Sequence, residues 1–351
     1  MGTIKRNFAN NLTTNGKFDA TDLTGTIPAS NIDNNTVSAV TALPSALGDA
    51  IESTASDPVS PNEGQIWYNS SEGKVKIYKA VNAWSSGGNV GSSFYSAATG
   101  GTQDAAYKAG GGFPRASTAS ESYNGTSWTT AGSLNTARSR LSAGVVGTQT
   151  AGLGTGGYNT SLESATEHFN GSTWTSATSM PAGRQSAGAS GLQTAALVFG
   201  GGPSPTSSIS YNGSTWTATP NMVTGGSLTG VGTQTATLAS GNITESYNGT
   251  TWTAGTTMSS PRTQVAGGGT QTSSIFSGGL NPPSGAFSTV EQWNGTSWTT
   301  KNSLSTARRS HGSHGNSIAN SMVSSGINNA GSQITSSEEY VEKATQTVTV
   351  S

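Results

Sequence analysis

Four glutamates recur at equivalent positions, each two residues before an aromatic residue that is followed by Asn-Gly: Glu121, Glu167, Glu245 and Glu291. A glycosidase needs two carboxylates at one site, so these side chains are the first candidates for catalysis. Their repetition favours instead a structural position that each repeat unit uses once. The sequence also lacks a Ser-His-Asp pattern and a phosphate-binding loop. We therefore predict no catalytic residue and a protein that is not an enzyme.

Metal and thiol chemistry has few residues to draw on. The chain has no cysteine and only three histidines, His168, His311 and His314. A thiolate metal site, a cysteine nucleophile and a disulfide framework are therefore excluded. His311 and His314 lie three residues apart in RRSHGSHGN, and we interpret them as polar groups of a turn. The sequence predicts no metal site and no cofactor.

The charge content excludes two classes of partner. Only 9% of the residues are charged and the formal net charge is -1. Without a cluster of Lys and Arg, the chain lacks the footprint of a nucleic-acid-binding protein or of a basic membrane-surface protein. No apolar run reaches the roughly 18 residues that a membrane-spanning helix needs, so we expect no membrane insertion.

An internal repeat sets the elements that hold these residues. In five copies, an aromatic residue precedes Asn-Gly and a Trp follows that aromatic residue five positions later, at Tyr123/Trp128, Phe169/Trp174, Tyr211/Trp216, Tyr247/Trp252 and Trp293/Trp298. The Trp-to-Trp steps run from 36 to 46 residues. We interpret Asn-Gly as a type I′ turn, with positive φ at both central residues, that joins two strands of a sheet.

Two further positions follow each Trp. A large apolar residue comes six residues later, and an arginine comes ten residues later in four of the five units: Arg138, Arg184, Arg262 and Arg308. Next come a GTQ-type turn and a strand of small residues that ends in Gly-Gly, which we expect to lie innermost. The arginines have two interpretations: hydrogen bonds to turn carbonyls of the neighbouring unit, or a ring that binds an anionic glycan.

The order Gly-Gly, Tyr, Trp, apolar residue and Arg resembles the kelch repeat over about residues 84–345. The resemblance implies an all-β, kelch-like β-propeller. Kelch propellers include a copper oxidase that needs a Cys-modified Tyr, and this chain has no Cys. The GTQ-type turn occurs six times, so we predict six blades, with seven as the alternative. Trp84 is in phase with the last unit, which reaches Tyr340 but lacks its own Trp, and we expect the two residues to share the closing blade.

The chain ahead of the repeats has a different character. We expect residues 1–62 to be an extended attachment and oligomerisation segment with one short helix candidate, Thr41–Ser53. Residues 63–83 read as a hairpin linker, with strands Ile66–Asn69 and Lys74–Lys79, and 84–351 as the propeller. The stretches GTIPASNID and GQIWYNSSEGKVKIY resemble those of virion proteins of tailed bacteriophages, especially cyanophages. That resemblance implies attachment to other virion proteins through the N-terminus, commonly as a homotrimer, and a location in the virion.

The loops after Gly-Gly differ most between the repeats, so the fold does not dictate them. Phe113, Tyr158, Asn159 and Phe287 are the candidate ligand-binding residues there, with the four arginines as a second set. Three functions stay open: a non-enzymatic tail fibre or appendage that recognises a host-surface saccharide, a purely architectural capsid-decoration or tail protein, and a glycan-degrading propeller hydrolase.

Overall fold

The computed structural model describes residues 51–112 and 115–347, with the backbone alone for residues 80 and 343–346. Apart from a short 3-10 turn at Ile318–Asn320, the regular elements in these ranges are all β-strands. They form five four-stranded sheets, one six-stranded sheet and two two-stranded ribbons. The chain divides into two compact units, one from Asn82 to Val341 and one that holds the residues before and after it. The sequence placed the propeller boundary at 84–351 instead.

The unit outside the propeller is built on a hairpin. Its strands are β1 (Glu52–Thr54), β2 (Ile66–Asn69) and β3 (Lys74–Ser86). The expected hairpin is confirmed, and β3 runs past Lys79. Residues 52–54, which overlap the end of the helix candidate, form a strand parallel to β2, so the helix is wrong there. The rest of that candidate and most of the 1–62 segment lie outside the described residues.

Asp57 holds this hairpin together. Its Oδ1 accepts hydrogen bonds from Asn69 Nδ2 at 2.8 Å and from Trp67 Nε1 at 3.0 Å, and its Oδ2 accepts one from Lys76 Nζ at 2.9 Å. These bonds, Asn69 first and Lys76 next, lower the pKa of Asp57 to about 2. The carboxylate is therefore charged at any ordinary pH. Trp67 and Asn69 of the IWYN strand both donate hydrogen bonds to it, which explains why these two residue types occur there.

The propeller unit repeats one antiparallel sheet. The first sheet contains β4 (Ala98–Thr102), β5 (Ala105–Ala109), β6 (Ser120–Tyr123) and β7 (Trp128–Ala131). The second contains β8 (Gly147–Thr148), β9 (Ala151–Thr155), β12 (Thr166–Phe169) and β13 (Trp174–Ala177), and the ribbon of β10 (Tyr158–Asn159) and β11 (Ser161–Leu162) lies between β9 and β12 in the sequence. The third contains β14 (Gly188–Leu192), β15 (Ala195–Phe199), β16 (Ser208–Tyr211) and β17 (Trp216–Thr219).

The fourth sheet contains β18 (Thr229–Thr233), β19 (Ala236–Ser240), β20 (Thr244–Tyr247) and β21 (Trp252–Ala254). The fifth contains β22 (Ala266–Gly269), β23 (Ser274–Ser277), β26 (Val290–Trp293) and β27 (Trp298–Lys301), and the ribbon of β24 (Leu280–Asn281) and β25 (Gly285–Ala286) lies between β23 and β26 in the sequence. The sixth contains β28 (Gly312–His314), β29 (Met322–Ser324) and β30 (Ser337–Thr347), and β3 pairs with β30 in the same sheet.

The first strand of each sheet lies innermost. β4, β14, β18, β22 and β28 and the short β8 contact one another between sheets in a closed cycle, either directly or through β9. The strand that ends in Gly-Gly is therefore second from the axis, so its expected innermost position is wrong. Small residues suit both strands, because the second one packs between neighbouring sheets.

The aromatic repeat forms the outer half of every sheet. Each aromatic residue before the turn contacts the Trp paired with it, with ring centroids 4.6–5.1 Å apart, at Tyr123/Trp128, Phe169/Trp174, Tyr211/Trp216, Tyr247/Trp252 and Trp293/Trp298. The apolar residue six positions after each Trp is also buried. Aromatic pairs of this geometry add about 0.5–1.5 kcal/mol beyond area burial. These contacts are consistent with the structural role expected for these residues.

The sixth sheet joins strands from distant parts of the sequence. Trp84 packs on Tyr340 with ring centroids 5.3 Å apart, and Tyr340 Oη donates to Asn82 Oδ1 at 3.1 Å. Ser85 Oγ donates to the carbonyl of Glu339 at 3.4 Å. The expected sharing of this sheet is thus present in the structure. The cycle of sheets favours six blades over seven, and the blade number itself stays a prediction.

The Asn-Gly turns differ from the expected type. Tyr123 pairs with Trp128, so four residues form the loop. Positive φ occurs at Gly125 (88°) but not at Asn124, so the expected type I′ turn, which needs positive φ at both central residues, is wrong. Asn124 Oδ1 accepts the backbone N–H groups of Thr126 and Ser127 at 3.0 and 2.9 Å. The asparagine therefore holds the loop with its side chain, and the same bonds recur in the other four turns.

In three of the sheets, the glutamine of the GTQ-type turn fastens the sheet to the one before it. Gln193 Nε2 donates to the carbonyls of Gly152 and Phe169 at 2.8 and 2.9 Å, and Gln234 and Gln271 make the same pair of bonds. This contact joins neighbouring sheets at the end opposite to the Gly-Gly loops.

Candidate functional site

The propeller has two ends of different character. Inner strands of neighbouring sheets run parallel where bridges join them, so equivalent loops lie on the same side. We call the side with the Gly-Gly loops and the connections between sheets the loop face; its described segments are 87–97, 110–112, 115–119, 132–146, 156–165, 178–187, 200–207, 220–228, 241–243, 255–265, 278–289, 302–311 and 325–336. The turn face is formed by 103–104, 124–127, 149–150, 170–173, 193–194, 212–215, 234–235, 248–251, 270–273, 294–297 and 315–321.

An axial cavity of about 70 Å³ lies among the connections of the loop face. That is several times the roughly 10–15 Å³ that a water needs. Three tiers of side chains line it. The rim carries Ser96, Arg140, Ser186, Ser227, Gln264 and Ser310; the middle carries Ala97, Leu141, Leu228, Val265 and His311; and the floor carries Thr99, Thr229 and Ser313. The cavity is therefore polar at both ends and mostly apolar between them.

The rim has an unusual backbone. Five of its residues have positive φ although none is glycine: Ser96 (55°), Arg140 (50°), Ser186 (51°), Gln264 (57°) and Ser310 (53°). Left-handed backbone at non-glycine residues costs about 1–3 kcal/mol each and concentrates at functional sites. Backbone hydrogen bonds hold the rim: Ser96 N–H donates to Ser310 C=O at 2.8 Å, and Ser310 N–H to Gln264 C=O at 3.0 Å. The strain motivates a functional hypothesis for this ring.

Arg140 is the charged residue of the rim. Its Nη1 donates to Gln185 Oε1 at 3.1 Å, and its guanidinium carbon lies 5.9 Å from the centroid of the Tyr158 ring. Tyr95 lies next to the rim; burial raises the pKa of its phenol, while the charges of Arg309 and Arg140 lower it in part. The cationic side chain of the rim thus lies close to an aromatic ring that is outside the cavity lining.

The structure places the four loop candidates differently. Tyr158 is half-buried on β10 beside Arg140 and does not itself line the cavity, and Asn159 is next to it on the same strand. Phe287 is half-buried and its backbone pairs with Arg308, with no contact that brings it to the cavity. Phe113 lies outside the described residues. The ligand-binding role of all four stays a prediction.

The second set of candidates is buried in the fold. Arg138, Arg184, Arg262 and Arg308 are between 0% and 6% exposed. Arg138 donates to Glu167 Oε1 at 2.8 Å and to the carbonyls of Gly156 and Ala165 in the next sheet. Arg262–Glu291 and Arg308–Glu338 repeat the ion pair at 2.6 Å. This geometry fits the structural interpretation, and a ring that contacts a glycan does not fit side chains buried to this extent.

The pairing also explains where the repeat departs from its pattern. Arg184 would meet position 209, which is isoleucine, and it donates instead to Ser207 Oγ at 3.2 Å. Glu245 would meet position 226, which is glycine, and its carboxylate accepts three backbone N–H groups at 2.8–2.9 Å from Val223, Thr224 and Gly225. Each buried charge that lacks its usual partner is therefore met by other polar groups.

The candidate carboxylates and histidines are not on the surface. Glu121, Glu167, Glu245 and Glu291 are at most 6% exposed, which agrees with the structural position expected for them. His314 belongs to β28, where Nδ1 donates to Gly100 C=O at 3.1 Å and Nε2 accepts from Ser324 Oγ at 2.9 Å. His311 is 7% exposed and lines the cavity. Both were expected as polar groups of a turn, and the structure corrects this, because the two side chains point into the packed interior.

Burial keeps both of these histidines neutral. Desolvation, partly offset by the bond to Gly100, lowers the pKa of His314 to about 4. Desolvation and the charges of Arg308 and Arg262 hold the pKa of His311 well below 6.5. Its Nε2 lies 3.5 Å from Ser277 Oγ, and its Nδ1 has no hydrogen-bond partner among the described residues. The unpartnered nitrogen of the neutral His311 is buried away from solvent.

Charge is distributed unevenly between the two faces. The described loop-face segments hold one glutamate, Glu163, and seven arginines, namely Arg115, Arg138, Arg140, Arg184, Arg262, Arg308 and Arg309. Three of the seven pair with strand glutamates, which leaves an excess of positive charge. The turn-face segments hold Asp104 and no Lys or Arg. The loop face therefore favours a ligand with negative charge.

Within the described ranges, no cluster of three or more His, Asp or Glu side chains is arranged to hold a metal ion. The same ranges contain no helix long and apolar enough to span a membrane.

No family model matches the sequence, and no curated protein matches it. Among solved structures, the fold is similar to that of YjhT, with a TM-score of 0.59. The match covers 74% of this chain and 99% of the YjhT chain, at 14% sequence identity. The fold is a multi-bladed, kelch-like β-propeller. At this identity the similarity establishes the fold and carries no statement about function.

Sequence reasoning missed the cavity rim. Its five left-handed residues each lie twelve positions after a repeat Trp, as in Trp128 to Arg140. The spacing was visible, but Ser, Arg and Gln at that position share no residue type that would have marked it. Only the backbone conformation shows that they belong together.

Proposed function

We propose that this chain is a non-enzymatic structural protein of a tailed-bacteriophage particle, in which the loop face of the propeller recognises a host-surface saccharide. The observation that carries the proposal is the polar axial cavity at the centre of the loop face, which is surrounded by the loops that vary between repeats. Saccharide sites combine hydroxyl-bonding groups with aromatic faces, and Ser96, Ser186 and Tyr158 provide both.

The sequence resemblance of the N-terminal segment supports the particle context. In this proposal, that segment attaches the chain to other virion proteins and assembles it as a homotrimer, and the protein resides in the virion after assembly in the host cytoplasm. The architectural alternative places the loop face against another virion protein. The hydrolase alternative gains no support from the four repeated glutamates, because they are buried between strands.

Two measurements on the full-length chain test the proposal. Antibodies against the chain should label particles of the phage that encodes it, and the purified protein should adsorb to host cells and be displaced by host-surface polysaccharide. Labelling without adsorption would support the architectural alternative. Shortening of the polysaccharide by the purified protein would support the hydrolase alternative.

A further inference from the structure

Arg184 differs from the other arginines of the repeat in having no carboxylate beside it. Arg138, Arg262 and Arg308 each form an ion pair with a glutamate of the next sheet, at 2.6–2.8 Å. The equivalent position in the third sheet is Ile209 on β16, and Arg184 forms no ion pair with any described residue. It is nevertheless only 6% exposed. A buried cation without an opposite charge is unfavourable, so an anion that enters this junction gains the attraction that glutamate supplies elsewhere.

The guanidinium of Arg184 also makes few hydrogen bonds. It donates only to Ser207, from Nη1 to the carbonyl at 3.4 Å and from Nη2 to Oγ at 3.2 Å. The side chain of Arg308, by comparison, makes five bonds, at 2.6–3.4 Å, and one of them is to Glu338. The Nε of Arg184 has no hydrogen-bond partner among the described residues, yet it is not closed off from solvent as the Nε of Arg138 is. Arg184 therefore keeps a donor that a ligand can reach.

The backbone next to Arg184 supplies a further donor. In the sister units the carboxylate also accepts N–H groups seven and eight residues after the Trp, as Glu291 does from Ser259 at 2.7 Å and from Ser260 at 3.4 Å. The equivalent residues near Arg184 are Pro181, which has no N–H, and Ala182. The N–H of Ala182 has no partner among the described residues, and the residue is exposed. One of the two backbone donors for a carboxylate thus remains.

We propose that Arg184 binds the carboxylate of a small organic acid from solution, at the junction of the second and third sheets on the loop face. A guanidinium group suits the two oxygens of a carboxylate, and the glutamates of three other sheets make the same contact. With 6% of Arg184 exposed, the site admits a small ion and not a saccharide chain. It is therefore separate from the saccharide recognition proposed above. The bound acid completes the contact between the two sheets and raises the stability of the propeller.

The chain supplies the variants that test this site. Ile209→Glu places a carboxylate of the chain where three other sheets have one, so it should occupy the site and exclude the external acid. Arg184→Met removes the guanidinium, and it carries the test if the buried glutamate prevents cooperative unfolding. Arg115→Met is the matched control, because it removes the same charge from an exposed loop-face residue.

The measurement is thermal unfolding of the full-length chain at fixed ionic strength, with sodium formate replacing sodium chloride step by step. At a formate concentration ten times its dissociation constant, we expect the melting temperature of the wild type to rise by about 2–4 °C. Arg115→Met should keep this rise, while Arg184→Met and Ile209→Glu should lose it. Broadening of the formate proton resonance by the wild type, and not by Arg184→Met, measures the binding directly.

Two results would overturn the inference. One is a wild-type melting temperature that is the same in formate and in chloride, since the site would then have no preference for a carboxylate. The other is a rise of equal size in the wild type and in Arg184→Met, since the formate would then act elsewhere on the protein. Neither result bears on adsorption to host cells, so the failure of this inference is distinct from that of the proposed function.

Discussion

At the scale of single residues, three buried Arg–Glu ion pairs connect the loop-face connections to the strand glutamates of the next sheet. Arg262 and Glu291 are at most 1% exposed, and Glu291 is also bonded to Ser259 N–H at 2.7 Å. Burial, the largest single effect, raises the pKa of Glu291, but the bonds from Ser259 and Arg262 together outweigh it and leave the pKa lowered. The carboxylate thus stays charged because its partners compensate for lost water.

Replacing one residue of the Arg262–Glu291 pair should lower the unfolding free energy far more than replacing both. Arg262→Met leaves a charged carboxylate inside the protein, and we expect a loss of about 3–5 kcal/mol in unfolding free energy. Adding Glu291→Leu should recover part of that loss, because another sheet already places Ile209 at the equivalent position. Urea unfolding of the two single variants and the double variant measures the coupling. A double variant no more stable than Arg262→Met would contradict this description of the pair.

The buried histidines predict a loss of stability in mild acid. The pKa of His314 is about 4 in the folded protein and 6.5 is its ordinary value. Between those pH values the unfolded chain takes up a proton that the folded chain does not, so the unfolding free energy falls as the pH falls from 6.5 to 4. The effect amounts to roughly 3 kcal/mol for one such group. Unfolding of the wild type and of His314→Gln across this range should show a shallower slope in the variant; identical slopes would exclude His314 as a cause.

At the scale of elements, the Asn-Gly turn depends on the asparagine side chain. Asn294 Oδ1 accepts the N–H groups of Thr296 and Ser297 at 3.0 and 2.8 Å, and Gly295 has a φ of 95°. We expect Asn294→Ala to lower the unfolding free energy by about 1 kcal/mol, the typical contribution of such bonds. Asn294→Asp keeps an acceptor oxygen and should cost less. Thermal melts of the two variants test this, and equal melting temperatures would show that the side-chain bonds contribute nothing.

Strands and turns could be predicted from the sequence where one residue type decides the local structure. The spacing of Trp128 and its equivalents fixed the outer strands, and the doublet Gly156-Gly157 marked the end of the second strand. The type of the Asn-Gly turn could not be read, because Asn suits left-handed backbone and side-chain capping equally well. The burial of Arg138 depended on a glutamate about 30 residues away, and a local pattern does not reveal that pairing.

At the scale of the whole molecule, closure of the ring depends on a strand from the N-terminal side. Trp84 and Trp298 are both half-buried and hold equivalent positions in two sheets. If the closing sheet is as complete as the others, Trp84→Ala should destabilise the propeller as much as Trp298→Ala does, by about 3 kcal/mol. Both variants should unfold in one cooperative transition, followed by circular dichroism.

Two outcomes would contradict the closure. A Trp84→Ala protein with unchanged stability would mean that the closing strand adds little to the sheet. Deletion of residues 1–88 with unchanged cooperative unfolding would mean the same. The closing sheet could be predicted from the sequence because the last repeat has its aromatic residue at Tyr340 but no Trp after it, and Trp84 has the spacing of the missing residue.

The central claim is that the loop face, and not the turn face, binds the host-surface saccharide. Since the chain has no cysteine, single cysteines can be labelled cleanly. Ser204→Cys places a thiol on the loop face and Thr126→Cys places one on the turn face, both at exposed residues. Each full-length variant is coupled to polyethylene glycol maleimide, and its adsorption to host cells is compared with that of the uncoupled protein. We predict that the polymer at position 204 abolishes adsorption and the polymer at position 126 leaves it unchanged; adsorption lost only with the polymer at 126, or unaffected by either, would contradict the account.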